Sequence, residues 1–343
     1  MKNKSIIYLC SSLERTGPTN QLLNIVKNIK NNFNVTILTL KREGKHSMES
    51  EFLEEKGLEI RCFKDMKLLD GIRLIKSHDI SHSQGIKADA LSALFSNKSI
   101  ATLRNYPYED YPALYGLKKG RVMAYIHLLF LRFIDKRVTI SDSTKGKINS
   151  SVNYDFDVIY NGVNSDKYRV SVNQELRDSL HVSEYDKTLI YTGPIIERKN
   201  IIHLVKEMNN LPNYLMLIVG DGPLIEDAKK IARKHIVFVG GVDNVNEYLS
   251  IADAFIMLSK SEGFPNSVLE ALSVGLPCIL SDIPSHQDVK KIMGGCIYIT
   301  HGNLNDTIQS CICSSHQDIR MKTVLNLSSI SMAKKYNELY KLL

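Results

Sequence analysis

Short apolar runs recur along the whole chain, and segments with a helical pattern separate most of them. Such runs, rich in β-branched residues and without strict polar alternation, are typical of strands buried on both faces. Strands that alternate with helices predict parallel sheets covered by helices on both sides, and therefore an α/β fold. The candidate strands are SIIYLC, NVTILTL, LEIRCF, DISHSQ, SIATLR, RVTIS, FDVIYNG, TLIYTG, YLMLIVG, IVFVGG, AFIMLS, PCILSD and CIYIT.

A polar stretch, residues 163–187, divides these strands into two series. The chain has 343 residues, which is long enough for two domains with complete cores. We predict two doubly wound, Rossmann-like domains, 1–165 and 166–325, and a C-terminal helix within 326–343 that crosses back to the first domain. Such domains bind ligands at the carboxyl ends of their strands, so we expect the site in the cleft between them.

Composition narrows the class of protein. Hydrophobic residues make up 43% of the chain and charged residues 24%, which is ordinary for a globular protein. No apolar run approaches the roughly 20 residues that cross a bilayer. The N-terminal run IIYLC is too short for a signal peptide.

Because no zinc-like CxxC pair occurs, we expect reduced thiols and a cytoplasmic protein. The cysteines are Cys10, Cys62, Cys278, Cys296, Cys311 and Cys313.

Positive charge is concentrated in the first half of the chain. Residues 1–170 contain 27 Lys and Arg against 18 Asp and Glu, whereas the remainder contains 17 against 19. This imbalance indicates that the first domain contacts something anionic. No RNP, zinc-finger or basic-helix signature points to nucleic acid, so we expect no nucleic-acid partner. An anionic membrane surface and a phosphorylated acceptor fit the charge equally well.

One segment carries two acidic residues in different local structures. In SKSEGFPNSVLEALSVGLP, Glu262 precedes a Gly-Phe-Pro turn and Glu270 lies about one turn into a helix. The first residues of that helix would offer backbone N–H groups to an anion: Asn266, Ser267 and Val268. Ser267-x-x-Glu270 also fits a capping box, which would make Glu270 purely structural. The segment alone leaves both interpretations open.

Two further turns follow strands of the second series. YTGPIIERKN places Arg198 and Lys199 at the carboxyl end of its strand, where two cations could clamp a diphosphate. A solvated basic turn is the alternative. The turn VGDGP contains Gly220 and Gly222, which permit a close backbone approach, although turns of this kind are common.

Taken in their order along the chain, these segments resemble the retaining family-4 glycosyltransferases of the GT-B fold. The resemblance covers most of the chain and is strongest over residues 188–282. Its most specific element is the E-x₇-E pair formed by Glu262 and Glu270. The segments ISDSTKGKI and VIYNGV of the first series also match. DISHSQGIKADALSAL and TLRNYPYEDYPALYG look like bacterial members that build O-antigen or capsule polysaccharide.

The resemblance implies roles for residues of the second domain. Glu262 would contact hydroxyls of the transferred sugar, and Glu270 would hold the nucleotide ribose. Lys199 matches the diphosphate-binding lysine of the family, and Arg198 lies beside it. The further residues expected to bind the donor are Phe264, Pro265, Asn266, Ser267, Val268, Gly220 and Gly222.

The chain departs from the family pattern at several positions. Pro194 stands where the family has an arginine after the glycine, and Arg198 could supply that charge. Gly17 lies in the loop after the first strand without its usual second glycine, and it would let the backbone approach donor phosphates or acceptor. His82 in SHSQG is a candidate catalytic residue at the first position of an HxH pattern, but Gln84 replaces the second histidine. A structural role for His82 is the alternative.

Two segments of the first domain allow competing interpretations. The triplet Asp155-Phe156-Asp157 could hold a metal and a sugar diphosphate, but no other metal-ligand cluster accompanies it, so we expect no metal. In Leu117–Arg137, basic residues flank an apolar helical run. This run is either a core helix with solvated ends or a surface that contacts anionic lipid.

We therefore predict a metal-independent, retaining glycosyltransferase without a cofactor. It would move a sugar from a nucleotide diphosphate, with UDP favoured, to a polyprenyl diphosphate-linked glycan acceptor on the inner face of the cell membrane. Two alternatives stay open. One is a UDP-sugar epimerase on a related fold, against which the E-x₇-E pair argues. The other is a non-catalytic subunit that binds nucleotide sugar, which Pro194 and Gln84 keep open.

Overall fold

Seven strands in the first half of the chain form one parallel sheet. The computed structural model describes residues 4–171, 173–311 and 316–343. The strands are β1 (Ser5–Cys10), β2 (Asn34–Thr39), β3 (Leu58–Cys62), β4 (Ile80–Ser83), β5 (Ser99–Leu103), β6 (Lys136–Thr139) and β7 (Asp157–Val158). They lie in the order β3-β2-β1-β4-β5-β6-β7. The order reverses beside β1, as in a doubly wound sheet.

Six strands of the second half form another parallel sheet. They are β8 (Lys187–Thr192), β9 (Tyr214–Val219), β10 (Ile236–Gly240), β11 (Ala254–Met257), β12 (Cys278–Ser281) and β13 (Ile297–Thr300). Their order is β10-β9-β8-β11-β12-β13. The topological switch point therefore lies between β8 and β11, and the loops that follow these two strands are neighbours.

Helices connect most of the strands. In the first half they are α1 (Gly17–Ile29), α2 (Glu49–Leu53), α3 (Leu68–Lys76), α4 (Ile86–Phe95), α5 (Pro107–Tyr115), α6 (Leu117–Leu131) and α7 (Asp142–Asn149). In the second half they are α8 (Gln174–Ser179), α9 (Ile201–Met208), α10 (Ile225–Ile231), α11 (Val245–Ser250), α12 (Asn266–Val274), α13 (Pro284–Met293), α14 (Leu304–Cys311), α15 (His316–Leu327) and α16 (Ser329–Leu342). Within the three described ranges, every helix is too short or too polar to span a bilayer.

The chain divides into two structural units. The first unit contains the chain up to Gly162 together with Ser329–Leu343, and the second is Val163–Ser328. Helix α16 packs against α1 in the first unit. Its Tyr336 and Tyr340 are almost completely buried in the same core as Ile6 of β1.

The continuous apolar strands explain both cores. Every residue of β1 from Ile6 to Cys10 is buried, and so is every residue of β11. Strands covered on both faces need this composition, because neither face meets water. The predicted α/β fold with two doubly wound sheets is confirmed.

The cysteines in the described part of the chain form no disulfide bond. Cys10, Cys278, Cys296 and Cys311 are buried, and Cys62 is half-buried. Burial raises the pKa of the Cys10 thiol to about 12, so this thiol stays protonated and unreactive. Cys313, which the sequence also suggested to be reduced, lies outside the described residues.

Candidate functional site

Glu262 lies in the loop between β11 and α12, where it pairs with two cations. Its Oε1 is 2.8 Å from Nζ of Lys199, and its Oε2 accepts a hydrogen bond of 2.8 Å from Nη1 of Arg198. The side chains of Glu262 and Lys199 are only 6% and 8% exposed, whereas Arg198 is 46% exposed. The sequence-based alternative of a solvated basic turn is therefore wrong for Lys199, which is buried against a carboxylate.

The topology of the sheet brings these three residues together. Arg198 and Lys199 form a single 3₁₀ turn after β8, and Glu262 follows β11, the neighbouring strand. The two loops are also joined through the backbone. Lys260 N–H donates to the carbonyl of Arg198 at 2.9 Å, and Nη1 of Arg198 donates to the carbonyl of Ser261 at 2.7 Å. The cluster thus sits at the switch point of the second sheet.

Burial and charge act against each other in this cluster. Burial raises the pKa of Glu262, but the positive charges of Lys199 and Arg198 outweigh it and leave the pKa below its ordinary value. Burial lowers the pKa of Lys199, and the Glu262 carboxylate opposes that shift. One buried contact, from Lys199, and one partly exposed contact, from Arg198, hold the carboxylate at the end of a strand, and a ligand could take over the positive charge of either cation.

Glu270 lies inside α12 and is bonded to Tyr168 of the same unit. The Tyr168 hydroxyl donates to the Glu270 carboxylate. The capping-box interpretation of Glu270 is wrong, because α12 begins at Asn266 and its N-cap is Pro265, with no side-chain cap bond. A box built on Ser267 needs that residue at the N-cap, whereas it is already the second residue of the helix.

Burial perturbs this acid as well. It raises the pKa of Glu270 to about 7, although the hydrogen bond from Tyr168 and the charges of Lys167 and Lys199 oppose the shift. Burial and the neighbouring carboxylate raise the pKa of the Tyr168 hydroxyl well above its usual range. At pH 7 the Glu270 carboxyl is thus close to half-ionised and can either accept or donate a hydrogen bond.

Helix α12 starts where the sequence predicts, but two residues expected to bind the donor, one in the preceding loop and one in the helix, have buried side chains. The side chains of Phe264 and Val268 are 4% and 0% exposed. Only their backbone groups remain for contact with a ligand. The helix ends at Val274, followed by Gly275 in the left-handed conformation. Because α12 follows the loop after β11, its N-terminus lies at the switch point and contributes the positive end of the helix dipole there.

Gly220 and Gly222 lie on the loop after β9 and pack directly against the loop after β8. A Cβ added at Gly220 would be 1.9 Å from the carbonyl oxygen of Gly193, and one at Gly222 would be 2.4 Å from that of Ile195. The N–H of Ile195 also donates to the carbonyl of Asp221 at 2.9 Å. The structure therefore explains why glycine is needed at both positions: without a side chain, the backbones of the two loops can come into direct contact. Pro194 lies within this contact.

His286 was not identified from the sequence. It lies in the first turn of α13 and is completely buried. Its Nδ1–H donates to the carbonyl of Ser281 at 2.9 Å, and among the described residues its Nε2 has no hydrogen-bond partner. Burial lowers the pKa of its imidazole to about 4, so the ring is neutral at pH 7. The sequence could have indicated His286 as a site residue, because it follows the carboxyl end of β12.

Tyr168 was also not identified from the sequence, because it lies in the stretch interpreted as a domain boundary.

His82 and Gly17 belong to the first unit. His82 is buried, its Nδ1 bonded to the hydroxyl of Tyr340 at 2.7 Å and its Nε2 to the hydroxyl of Thr102 at 2.8 Å. Burial lowers the pKa of the imidazole to about 3. These contacts favour the structural alternative, because neither ring nitrogen is left to exchange a proton with a ligand. Gly17 is the first residue of α1, after β1.

Asp155 and Asp157 were considered as metal ligands. Asp157 lies on β7, and its Oδ2 is 4.0 Å from Nζ of Lys136. In the part of the chain that the structure describes, no three His, Cys, Asp or Glu residues are grouped closely enough to hold a metal ion.

Comparison with known proteins finds a family match within the second unit. Residues 172–298 match the model of the family described as Glycosyl transferases group 1. The O-antigen biosynthesis glycosyltransferase WclY of Escherichia coli is 26% identical over 98% of this chain and 97% of its own. A UDP-Gal:alpha-D-GlcNAc-diphosphoundecaprenol alpha-1,3-galactosyltransferase, also of Escherichia coli, is 25% identical over 68% and 66% of the two chains.

Solved structures show the same fold. Anabaena Alr3699/HepE in complex with UDP and glucose matches with a TM-score of 0.81 at 14% identity, covering 99% of this chain and 100% of the other. The lipopolysaccharide outer core galactosyltransferase WaaB, in its apo form, matches with a TM-score of 0.73 at 18% identity and the same coverage. The resemblance to glycosyltransferases of the GT-B fold, inferred from the motifs, is confirmed.

Proposed function

We propose that this chain, which has the GT-B fold and carries a glycosyl transferases group 1 domain, is a retaining glycosyltransferase of bacterial surface polysaccharide synthesis. It takes a sugar from a UDP-sugar and transfers it to a hydroxyl of a glycan on a polyprenyl diphosphate. Two relatives support this substrate pair. WclY is named for O-antigen biosynthesis, and the galactosyltransferase is named for a UDP-Gal donor and a diphosphoundecaprenol acceptor.

The cluster of buried Glu262 and Lys199 with the partly exposed Arg198 is the observation that carries the proposal. A carboxylate held between two cations at a switch point matches the needs of a sugar diphosphate, whose two halves develop opposite charges. Lys199 and Arg198 would stabilise the negative charge that grows on the diphosphate. Glu262 would orient hydroxyls of the sugar ring, which becomes positive as its bond breaks.

Glu270 would hold the ribose of the donor. Its carboxyl is positioned by the Tyr168 hydroxyl and lies one turn from the N-terminus of α12. Because that N-terminus favours negative charge, the diphosphate would lie between the sugar at Glu262 and the ribose at Glu270. Ser267, in the first turn, would contribute its backbone N–H.

The proposed reaction retains the anomeric configuration. The bond between the sugar C1 and the diphosphate oxygen breaks, and a new bond forms between C1 and the acceptor oxygen on the same face. A phosphate oxygen of the departing UDP takes the proton of the acceptor hydroxyl. No protein base is then required, and Lys199 with Arg198 supplies the positive charge that a metal ion would otherwise provide.

The first unit would bring the acceptor from an anionic membrane. Helix α6 buries one face, with Ala124 and Leu128, in the core of that unit. Its opposite face is apolar and exposed, and it contains no acidic residue: Val122, Tyr125, Ile126, Leu129 and the following Phe133. We name these five residues the outer face of α6. Four exposed basic residues lie in or directly after α6 and would attract anionic headgroups: Lys118, Lys119, Arg121 and Arg132.

The decisive experiment offers UDP-, GDP-, ADP- and TDP-sugars to the purified protein in the presence of EDTA and bacterial lipid-linked acceptors. Release of nucleotide diphosphate from one donor identifies it. Turnover should fall by at least a hundredfold in Glu262→Ala and Lys199→Ala, because each removes charge stabilisation in the transition state. Lys229→Ala is the matched control, since Lys229 pairs with Glu226 on the surface of the same unit.

The alternatives have distinct outcomes in the same experiment. A non-catalytic subunit would bind nucleotide sugar but release no diphosphate with any acceptor. An epimerase would convert the donor without forming a glycoside. Product stereochemistry, read by NMR from the anomeric coupling constant, tests retention, and an inverted product would contradict the mechanism.

A further inference from the structure

A cavity of about 400 Å³ opens in the first unit at the carboxyl edge of its sheet. The residues that follow β1, β4 and β5 line it, together with the first turns of α1 and α5. Arg104, the residue directly after β5, lies in this wall. The sequence motifs gave Arg104 no role.

The partners of Arg104 are neutral. Its Nε donates to Oε1 of Gln84 at 2.9 Å, and its Nη1 donates to Oδ1 of Asn161 at 3.2 Å. Among the described residues Arg104 forms no ion pair with a carboxylate, so these two amide oxygens are the side-chain acceptors that hold it. Two amide oxygens fix the direction of the guanidinium but leave its charge uncompensated.

This arrangement is unfavourable unless an anion completes it. Arg104 is half-buried in the cavity wall, and burial lowers the pKa of its guanidinium because removal from water disfavours the charged form. The acidic residues that line the same cavity are Glu14 and Asp110. Asp110 accepts a hydrogen bond from Asn105. Ser11, Thr16 and Thr19 also line the cavity, and their hydroxyls are further hydrogen-bond donors.

We propose that Arg104 binds a phosphate oxygen of a diphosphate substrate in this cavity, held in position by the amide groups of Gln84 and Asn161. This assignment rests on the proposed transferase function, which supplies two diphosphates, one on the donor and one on the lipid-linked acceptor. The planar fork of an arginine matches phosphate oxygens in two parallel hydrogen bonds. The function of Gln84 follows, because an amide positions the guanidinium without neutralising it.

The test measures binding by calorimetry for the full chain with three probes. They are UDP, inorganic pyrophosphate, and an N-acetylglucosaminyl diphosphate with a short alkyl chain. The variants are Arg104→Gln, which removes the charge, and Gln84→Glu, which gives Arg104 an internal carboxylate. Arg73→Gln removes a charge from an exposed ion pair of the same unit and is the control. Thermal melting establishes that each variant is folded.

We expect Arg104→Gln and Gln84→Glu each to weaken binding of the alkyl diphosphate by about tenfold or more, the usual effect of losing a charge-assisted hydrogen bond. Arg73→Gln should bind like the wild type. Gln84→Glu separates ligand binding from structure, because a new ion pair would leave a purely structural Arg104 as stable as before or more so.

The outcomes distinguish the sources and the hypotheses. Weaker binding of the alkyl diphosphate alone assigns Arg104 to the acceptor, and weaker binding of UDP alone assigns it to the donor. Wild-type affinity of Arg104→Gln for all three probes overturns the assignment, and so does wild-type affinity of Gln84→Glu. Binding that depends on Arg104 without turnover of any donor would refute the transferase function but leave the diphosphate site standing.

Discussion

Nζ of Lys199 and Oε1 of Glu262 lie 2.8 Å apart, and both side chains are less than a tenth exposed. Taking two charges out of water is unfavourable, and their mutual attraction often only balances this desolvation. Such a pair is therefore a weak source of stability, and buried ion pairs of this kind are frequent at ligand sites. A donor diphosphate would give Lys199 a second anion.

Removing one member of this pair should destabilise the second unit. We expect Glu262→Gln to lower the free energy of unfolding by about 3 kcal/mol or more, because Lys199 would be left buried without a full counter-charge. Urea denaturation measures the change. The double variant Lys199→Met/Glu262→Gln is the control and should lose less than Glu262→Gln alone. Equal or larger loss in the double variant would contradict this account.

Glu270 should make stability depend on pH. Its folded pKa is about 7 against an ordinary value of 4.5, so between these pH values the folded protein holds a proton that the unfolded chain has released. Stability must then fall as pH rises through this window and level off above it. A shift of this size corresponds to roughly 3 kcal/mol.

The measurement compares the wild type with Glu270→Gln by denaturation from pH 5 to pH 8. Other titrating groups are common to both proteins, so they cancel in the difference. The stability of the wild type relative to the Gln variant should decline as pH rises. A difference that does not change with pH would mean that Glu270 titrates at its ordinary pKa.

The contact between the loops after β8 and β9 should tolerate no side chain at Gly222. Its added Cβ would be 2.4 Å from the carbonyl oxygen of Ile195, so the backbone must move. We expect Gly222→Ala to lower stability by roughly 2 kcal/mol, as overpacking does elsewhere. Gly241→Ala is the control, since its Cβ would meet nothing within 4 Å. Similar melting temperatures for the two variants would exclude a tight contact here.

The outer face of α6 should govern membrane binding. Tyr125 and Phe133 are each 62% exposed. Replacing both by Ser should weaken binding to vesicles that contain anionic lipid by about tenfold or more, because two aromatic side chains no longer enter the interface. Co-sedimentation at fixed salt gives the affinity. Leu325→Ser, at a 74% exposed position of the second unit, is the matched control. Unchanged sedimentation of the double variant would rule this surface out.

The strands could be predicted from the sequence because burial on both faces demands continuous apolar runs. In an α/β chain, short apolar runs such as SIIYLC and AFIMLS are typical of buried strands. Helix ends were harder to predict. The pattern PLIEDAKKIARK suggests helix over residues 223–234, whereas α10 covers only Ile225–Ile231. Arg233 instead bonds to the backbone of Asn209, a tertiary contact that no local pattern contains.

Much of the site could be predicted only as separate pieces. The sequence identified Glu262 and Lys199, but not the contacts that join their two loops. Arg198 and its partner Ser261 are 63 positions apart, and so are Lys260 and its partner Glu197. Only the order of the strands brings the loops together. Tyr168 was invisible because a polar stretch carries no signal for a buried hydroxyl. The sequence shows an arginine at position 104, but only the folded structure shows that its partners are the neutral side chains of Gln84 and Asn161.

Helix α16 gives the chain an unusual order of assembly. Its Tyr340 bonds to His82 and belongs to the same buried cluster as Ile6, yet the ribosome makes it after the whole second unit. The second unit is continuous in sequence and has all its residues earlier. The first unit must therefore wait for the last residues of its core, so the part synthesised first is the part completed last. Translation that stopped at Ser328 would leave that core open.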